Sequence, residues 1–416
     1  MILRLAIGSL FARMLTVGMT VLAIGLSVAL FLGVEKVRTG AKASFADTIS
    51  GTDLIVGARS GSVQLLLYSV FRIGNASNNV TWESYQDLAN RPELDWIVPI
   101  SLGDSHRQFR VMGTNAAFFE HYKYRRGRSL HFASGFAIDD LFDAVIGYDV
   151  AENLKYEIGD PIVVAHGLAS FTEHKDQPFR ISGILEKTGT PVDRTVIVSM
   201  EAIEAIHVDW QRGAKIPGQA TSVNAIRLMD LTPKAVTAAL VGVKSPLQTF
   251  ALQRAINEYS EEPLLAILPG VALQELWQIV GIAESALLAV SAMVIVTALI
   301  GLMATIFSSL NERRREMAIF RAMGASPISI LGLLVLEAAL TAAVGALLGV
   351  GVLYVGLFIS QPIIDREFGL FLAIEAPVLR EILVLLAVVV AGAIVSLIPA
   401  LRAYRLSLAD GMMVKI

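Results

Sequence analysis

The sequence predicts a multi-pass α-helical membrane protein with four transmembrane helices and a large α+β extracytoplasmic domain inserted between the first and the second. Three observations predict it. Four apolar runs reach the ~20 residues that a bilayer span needs. Residues 35–283, between the first two runs, hold only short strand-like and helix-like pieces. Basic residues gather at one end of every run. Composition agrees: the chain is 54% hydrophobic and 17% charged, with a mean hydropathy of +0.61. A soluble domain is nearer a quarter charged. A net charge of -3 gives no general case for nucleic-acid binding. The absence of cysteine excludes disulfides, thiolate chemistry and cysteine zinc sites.

Taken in order, residues 1–13 place Leu3, Ile7 and Leu10 at i, i+4 and i+7 and carry Arg4 and Arg13, the pattern of a cytoplasmic interfacial helix. Residues 14–34 form the first span. The alternative, a cleaved signal peptide, has an h-region of only ~7–15 residues, and Ala41-Lys42-Ala43 lies well past the run. In 35–283, strands are predicted at 53–56, 96–100, 109–112, 144–146, 161–165, 179–184, 195–198 and 224–228, and helices at 82–90, 116–121, 150–156, 200–207 and 233–241. Residues 74–81 (GNASNNVT) read as a loop. Together these give a soluble α+β domain, in one lobe or two. Residues 284–310 are the second span, 328–359 the third and 382–399 the fourth. Residues 360–381 are a short outer loop with Asp365, Arg366, Glu367 and Glu375, and 400–416 a tail. Arg4, Arg13, Arg313, Arg314, Arg315, Arg321, Arg402, Arg405 and Lys415 all flank one face. The positive-inside rule therefore puts both termini and residues 311–327 in the cytoplasm, and the large domain outside.

Residues 311–327 (NERRREMAIFRAMGASP) hold the densest basic cluster and are too charged for lipid. Met317, Phe320 and Gly324 fall at i, i+3 and i+7, so one face of a helix here is apolar or flat. Gly324 suits the helix end, and Ser326-Pro327 the start of the next as N-cap and N1. Two readings stand side by side. One is a short helix lying along the membrane or against a partner; the other is a basic loop that only fixes topology.

The order of motifs adds a resemblance. The run from Glu312 to Pro327, followed by an apolar helix carrying Glu337, resembles the FtsX-like/MacB-like ABC permease family, as does Ile398 to Met412 (IPALRAYRLSLADGM). In the large domain, Thr52-Asp53-Leu54-Ile55-Val56-Gly57, Val98-Pro99-Ile100, Val111-Met112-Gly113-Thr114 with Phe118-Phe119, Gly127-Arg128, Ala144-Val145-Ile146-Gly147 and Ile158-Gly159-Asp160 follow in the family's order. The resemblance implies a MacB-type periplasmic core domain. It also implies that Asn311, Glu312, Arg313, Arg314, Arg315, Glu316, Met317, Phe320, Arg321, Gly324 and Ala325 form a coupling helix gripped by a separate cytoplasmic ATPase dimer. ATP and Mg would be bound by that partner and no cofactor by this chain. A second permease copy is implied, as a homodimer or a heterodimer, in a bacterial inner membrane, with room for a periplasmic adaptor or binding protein. The implied work is mechanotransmission, moving lipoprotein, lipid, peptide or drug-like cargo from outside the bilayer. The alternatives are an FtsX-like regulator of an extracytoplasmic hydrolase and an ATPase-independent receptor.

Each remaining candidate has a plain alternative. Glu337 is the ionisable residue well inside a span, about nine residues past Ile328 or ~14 Å along the helix. Such a residue marks function by default; the alternative is a hydrogen-bonded structural acid buried between helices. Gly345 and Gly349 form a small-xxx-small pair suited to close helix packing, within the chain or between copies. His106, His121, His131, His166, His174 and His207 all fall in the large domain without ligand spacing, so surface or core histidines are expected, the alternative being a metal site assembled only by the fold. Phe118, Phe119, Tyr122 and Tyr124 read as core, and Lys123, Arg125, Arg126 and Arg128 as a solvated face. No P-loop and no G-x-S-x-G elbow occurs, so the chain reads as a non-catalytic subunit.

Overall fold

The computed structural model describes residues 2–125, 127–167, 174–211, 214–216, 221–312, 314–368 and 374–405, without the side chains of 2–4, 211, 214–215, 311–312, 314–315, 365–368 and 405. The chain forms two compact units: residues 1–40, 281–363 and 372–416, and residues 41–280 with 364–371.

The helical unit is built from α1 (Ile2–Ala12), α2 (Met14–Thr48), α3 (Pro269–Glu312), α4 (Arg314–Ala322), α5 (Pro327–Phe368) and α6 (Leu379–Arg405). Four of these, α2, α3, α5 and α6, are long and apolar enough to cross a membrane. Each helix runs past its predicted span. For example, α3 begins at Pro269, where hydropathy alone starts the span at 284. The outer surface is apolar: Leu15, Met19, Leu22, Leu26 and Leu30 of α2 and Leu383 and Leu386 of α6 are all exposed. An apolar surface this continuous needs lipid rather than water around it.

Two charged layers close the unit. At one end Arg13 Nη2 lies 3.1 Å from Glu337 Oε2, between the α1–α2 junction and α5. At the other, Glu35 meets Arg38 at 2.8 Å and Arg380 at 2.7 Å, Arg38 meets Glu284 at 3.7 Å, and Lys36 meets Glu381 at 3.2 Å. Residues 13 and 35 are ~33 Å apart along a helix, close to the ~30 Å of a bilayer's hydrocarbon core. Within that depth, polar side chains turn to their own helix. Thr20, Ser27, Ser291 and Thr341 each donate to the carbonyl four residues back, at 2.7–2.9 Å. That satisfies them without water.

In the α/β unit an eleven-stranded mixed sheet forms the centre. Its strands are β1 (Leu54–Ala58), β2 (Leu94–His106), β3 (Phe109–Thr114), β4 (Phe132–Gly135), β5 (Asp143–Ile146), β6 (Pro161–Ile162), β7 (Ala165–His166), β8 (Phe179–Leu185), β9 (Thr195–Ser199), β10 (Ala238–Val243) and β11 (Leu264–Ile267). The order is β11-β1-β10-β2-β3-β9-β5-β8-β4, with β7 added on β2 and β6 on β8. The β3–β9 and β5–β8 pairs are parallel. Central strands are buried on both faces, which is why they read as unbroken apolar runs. Ile55, Met112, Val145 and Ile197 face one core, with Phe118, Tyr122 and Tyr124. Their neighbours Val111, Ala144, Ile146, Val196 and Val198 face a second core, and Leu54 and Val56 a third.

Two assignments are corrected. Residues 224–228 are not a strand; a short helix, Val223–Ile226, is capped there by Ser222 Oγ, which accepts from Ala225 N–H at 3.3 Å. Residues 233–241 are not a helix but hold Ala235–Val236 and most of β10, paired between β1 and β2. Its alanines favour helix locally, but burial on both sides of a central strand outweighs a preference of a few tenths of a kcal/mol per residue. The end of the predicted loop at 74–81 also pairs, as Val80–Thr81 against Ala235–Val236.

Candidate functional site

The basic stretch after α3 folds as a short helix, α4, held from below. Its end is fixed by Gly324, at φ +94°. The Ala325 N–H donates to the Phe320 carbonyl at 2.9 Å and the Gly324 N–H to the Arg321 carbonyl at 3.0 Å. This is the Schellman arrangement, which needs a left-handed residue at Gly324's position. Ser326 then caps α5, its Oγ accepting from Ser329 N–H at 3.2 Å, with Pro327 opening the helix.

Met317 and Ala318 turn inward, and Met317 packs with Leu310 of α3, Ile330 and Leu334 of α5, and Ala400 and Ala403 of α6. A helix of 9 residues is marginal alone, so this contact with three spans is what holds it. The other face is open. Ile319 is 54% and Met323 71% exposed, and Glu316 is exposed beside them. Phe320, Arg321 and Ala325 are half-buried. The side chains of Asn311, Glu312, Arg314 and Arg315, and all of Arg313, lie outside the described residues. The apolar face predicted around Met317 is turned down onto the spans; Ile319 and Met323 form a second, outward apolar pair. The signal available for them was their own i, i+4 spacing.

Glu337 lies nearly three turns into α5, 5% exposed. Arg13 donates to it, and Arg13 Nη2 also donates to Ser9 Oγ at 3.1 Å. The acid is thus ion-paired between helices, and Arg13, read earlier only as a topology charge, is its partner. Gly345 and Gly349 face α2. A Cβ on Gly345 would lie 2.9 Å from Ile24 Cβ, and one on Gly349 2.5 Å from the Gly25 carbonyl oxygen. The close packing is therefore within the chain, and Gly25 is its unforeseen third member. An open groove of about 940 Å³ runs between α2 and α3. Its Thr20, Thr297 and Thr305 hydroxyls are engaged by carbonyls of their own helices.

Among the six histidines, the structure brings three together. His166, His174 and His207 converge with Asp104, donor atoms all within 4.8 Å of one another. His106 is engaged elsewhere, by the Val163 carbonyl and the Tyr156 hydroxyl. His121 stacks on Trp96, with ring centroids 5.0 Å apart. The sequence could not single out these three, because the members are far apart along the chain.

Comparison with known proteins follows these units. The family described as MacB-like periplasmic core domain matches residues 17–259, and FtsX-like permease C-terminal matches 288–408. An uncharacterized ABC transporter permease of Methanocaldococcus jannaschii is 23% identical over 251 residues, 59% of this chain and 55% of that protein. The chain thus spans about half the length of that relative. Among solved structures, the periplasmic region of MacB from Actinobacillus actinomycetemcomitans gives a TM-score of 0.35 at 11% identity, over 56% of this chain and 97% of that one. The extracellular domain of the noncanonic ABC-type transporter YknZ from Gram-positive bacteria gives 0.31 at 13% identity, over 52% and 99%. More than half of the chain lies within the first family match. With residues 288–408 matched to the FtsX-like permease C-terminal model as well, the chain belongs to the MacB-like periplasmic core domain family.

Proposed function

We propose that this permease is the membrane subunit through which a separate ATPase dimer does work outside the cytoplasm. The observation that carries this is α4. It is rooted by Met317 in the ends of three spans while it offers Ile319 and Met323 outward. A surface pair of that kind beside basic residues suits a protein partner, and a push on it reaches α3, α5 and α6 together. The distribution of arginines supports a cytoplasmic α4 and a periplasmic α/β unit. The groove between α2 and α3 lacks free hydroxyls among its described threonines. That favours mechanotransmission, the extraction or export of lipoprotein, lipid, peptide or drug-like cargo, over a water-filled path. Two permease copies, each with its ATPase, form the working unit. The chain itself carries out no chemistry.

The chain has no cysteine, so Met323→Cys provides a unique crosslinking handle. In membranes that contain the cognate ATPase, the thiol should crosslink to that subunit with a yield that changes on adding ATP. Ile319→Asp with Met323→Asp should weaken co-purification roughly 30-fold, the ~2 kcal/mol of a hot-spot pair. A thiol labelled only from outside the cell, or one indifferent to nucleotide, overturns the reading. Co-purification with a cell-wall hydrolase alone points to an FtsX-like regulator instead.

A further inference from the structure

The cluster in the α/β unit comes from three chain segments that meet for reasons of fold. Asp104 on β2 and His166 on β7 are direct cross-strand partners, so their side chains share one face of the sheet. His207 follows the helix Met200–Ile206, which Ser199 caps. His174 is tied back by its own N–H, which donates to the Val164 carbonyl at 2.8 Å.

The donor atoms point at one another. His207 Nδ1 lies 2.6 Å from the Ile203 carbonyl. A carbonyl only accepts, so Nδ1 carries the proton and Nε2 presents a lone pair. That Nε2 lies 3.1 Å from His166 Nδ1 and 3.8 Å from Asp104 Oδ1, and His166 Nδ1 is 3.3 Å from Asp104 Oδ1. His174 is 1% exposed, and neither ring nitrogen has a hydrogen-bond partner of good geometry. The ring lies against Trp210, with centroids 4.2 Å apart. Asp104 is 3% exposed.

Left empty, the cluster leaves the buried His174 imidazole without the hydrogen bonds it makes in water, while the 3.1 Å contact is an N–H···N bond with the proton on His166 Nδ1. An ion would supply the partner that His174 lacks. Bonds of ~2.0–2.1 Å in a tetrahedron set ligand atoms about 3.3 Å apart, and the separations among Asp104, His166 and His207, 3.1, 3.3 and 3.8 Å, bracket that value. The Ile203 carbonyl on the far nitrogen of His207 is the outer contact that orients a metal-bound imidazole. Three imidazoles and a carboxylate without thiolate suit a borderline divalent ion.

We propose that Asp104, His166, His174 and His207 form a divalent-metal site of the zinc class, whose occupancy fastens β2 and β7 to the end of the helix Met200–Ile206. Four protein ligands close the tetrahedron, so the site serves structure or sensing rather than hydrolysis. The half-exposed His166 is the side from which an ion enters. This proposal does not rest on the ATPase reading and survives its failure.

The test uses the full chain in detergent, stripped with chelator and titrated with Zn²⁺. About one ion per chain should remain after desalting, and Co²⁺ should give the strong visible absorption of a tetrahedral site. Zn²⁺ should also raise the melting temperature. His166→Ala, at a half-exposed position that keeps the fold, and His174→Ala should each weaken binding roughly 100-fold or more and abolish the melting shift. His131→Ala, an exposed histidine outside the cluster, should bind like the parent. Absence of a stoichiometric ion, a weak octahedral Co²⁺ spectrum, or undiminished binding by His166→Ala overturns the proposal.

Discussion

Truncating Met317 to alanine tests whether α4 is held by the spans beneath it. The side chain is 8% exposed and packs against α3, α5 and α6. Methionine-to-alanine changes in a core cost about 2–5 kcal/mol. The low end applies here, because α4 lies at the end of the bundle and its neighbours can settle toward the gap. A loss of about 2 kcal/mol corresponds to a ~30-fold rise in the undocked population. Hydrogen exchange followed by mass spectrometry reads this directly. Amides of residues 316–325 should exchange ~30-fold faster in Met317→Ala, while those of β3 and β9 remain as slow as in the parent. Ile319→Ala, at an exposed position on the same helix, should change exchange less than about twofold. Unchanged protection in Met317→Ala, or equal loosening by Ile319→Ala, would refute the reasoning. It would mean that the turn is held by something other than its inward face.

The glycine crossing and the membrane ion pair give two further expectations. Gly349→Leu should force α2 and α5 apart, at the ~1–3 kcal/mol of overpacking, and lower the melting temperature in detergent; Gly351→Leu, whose Cβ meets nothing within 4 Å, should leave it near the parent value. Glu337→Ala leaves the part-buried Arg13, 18% exposed, without its carboxylate, at about 1.5–3 kcal/mol for a hydrogen bond to a charged group, so adding Arg13→Ala should recover part of the stability in chemical-denaturant titration; strictly additive losses would show that the two do not interact.

What the sequence disclosed and what it hid divide by range. Spans are local, and hydropathy finds them; their ends are less legible because the flanking turns of α2 and α3 are helical without being apolar. The Gly324 and Ser326-Pro327 punctuation is equally local and matches the bonds formed there. Strands such as β9 were readable as short β-branched runs. β10 was not, since Ala238 and Ala239 carry no strand preference and only the pairing with β1 and β2 decides. Arg13 and Glu337 are 324 positions apart, beyond any periodicity argument. Gly25 is one small residue among many in a span until Gly345 and Gly349 are seen across from it. The four members of the histidine cluster have no common spacing; only the β2–β7 register and the end of one helix assemble them.

The paired charge layers of the helical unit also act as a ruler. Their separation along each helix is set by the helix rise, so either the surrounding lipid adjusts or the bundle tilts. A membrane with shorter acyl chains would leave apolar turns wet beneath the Glu35–Arg38 layer, and one with longer chains would draw those carboxylates toward oil. Either mismatch costs fractions of a kcal/mol per ångström. Summed over four helices, that is enough for acyl-chain length to govern how readily the bundle tilts.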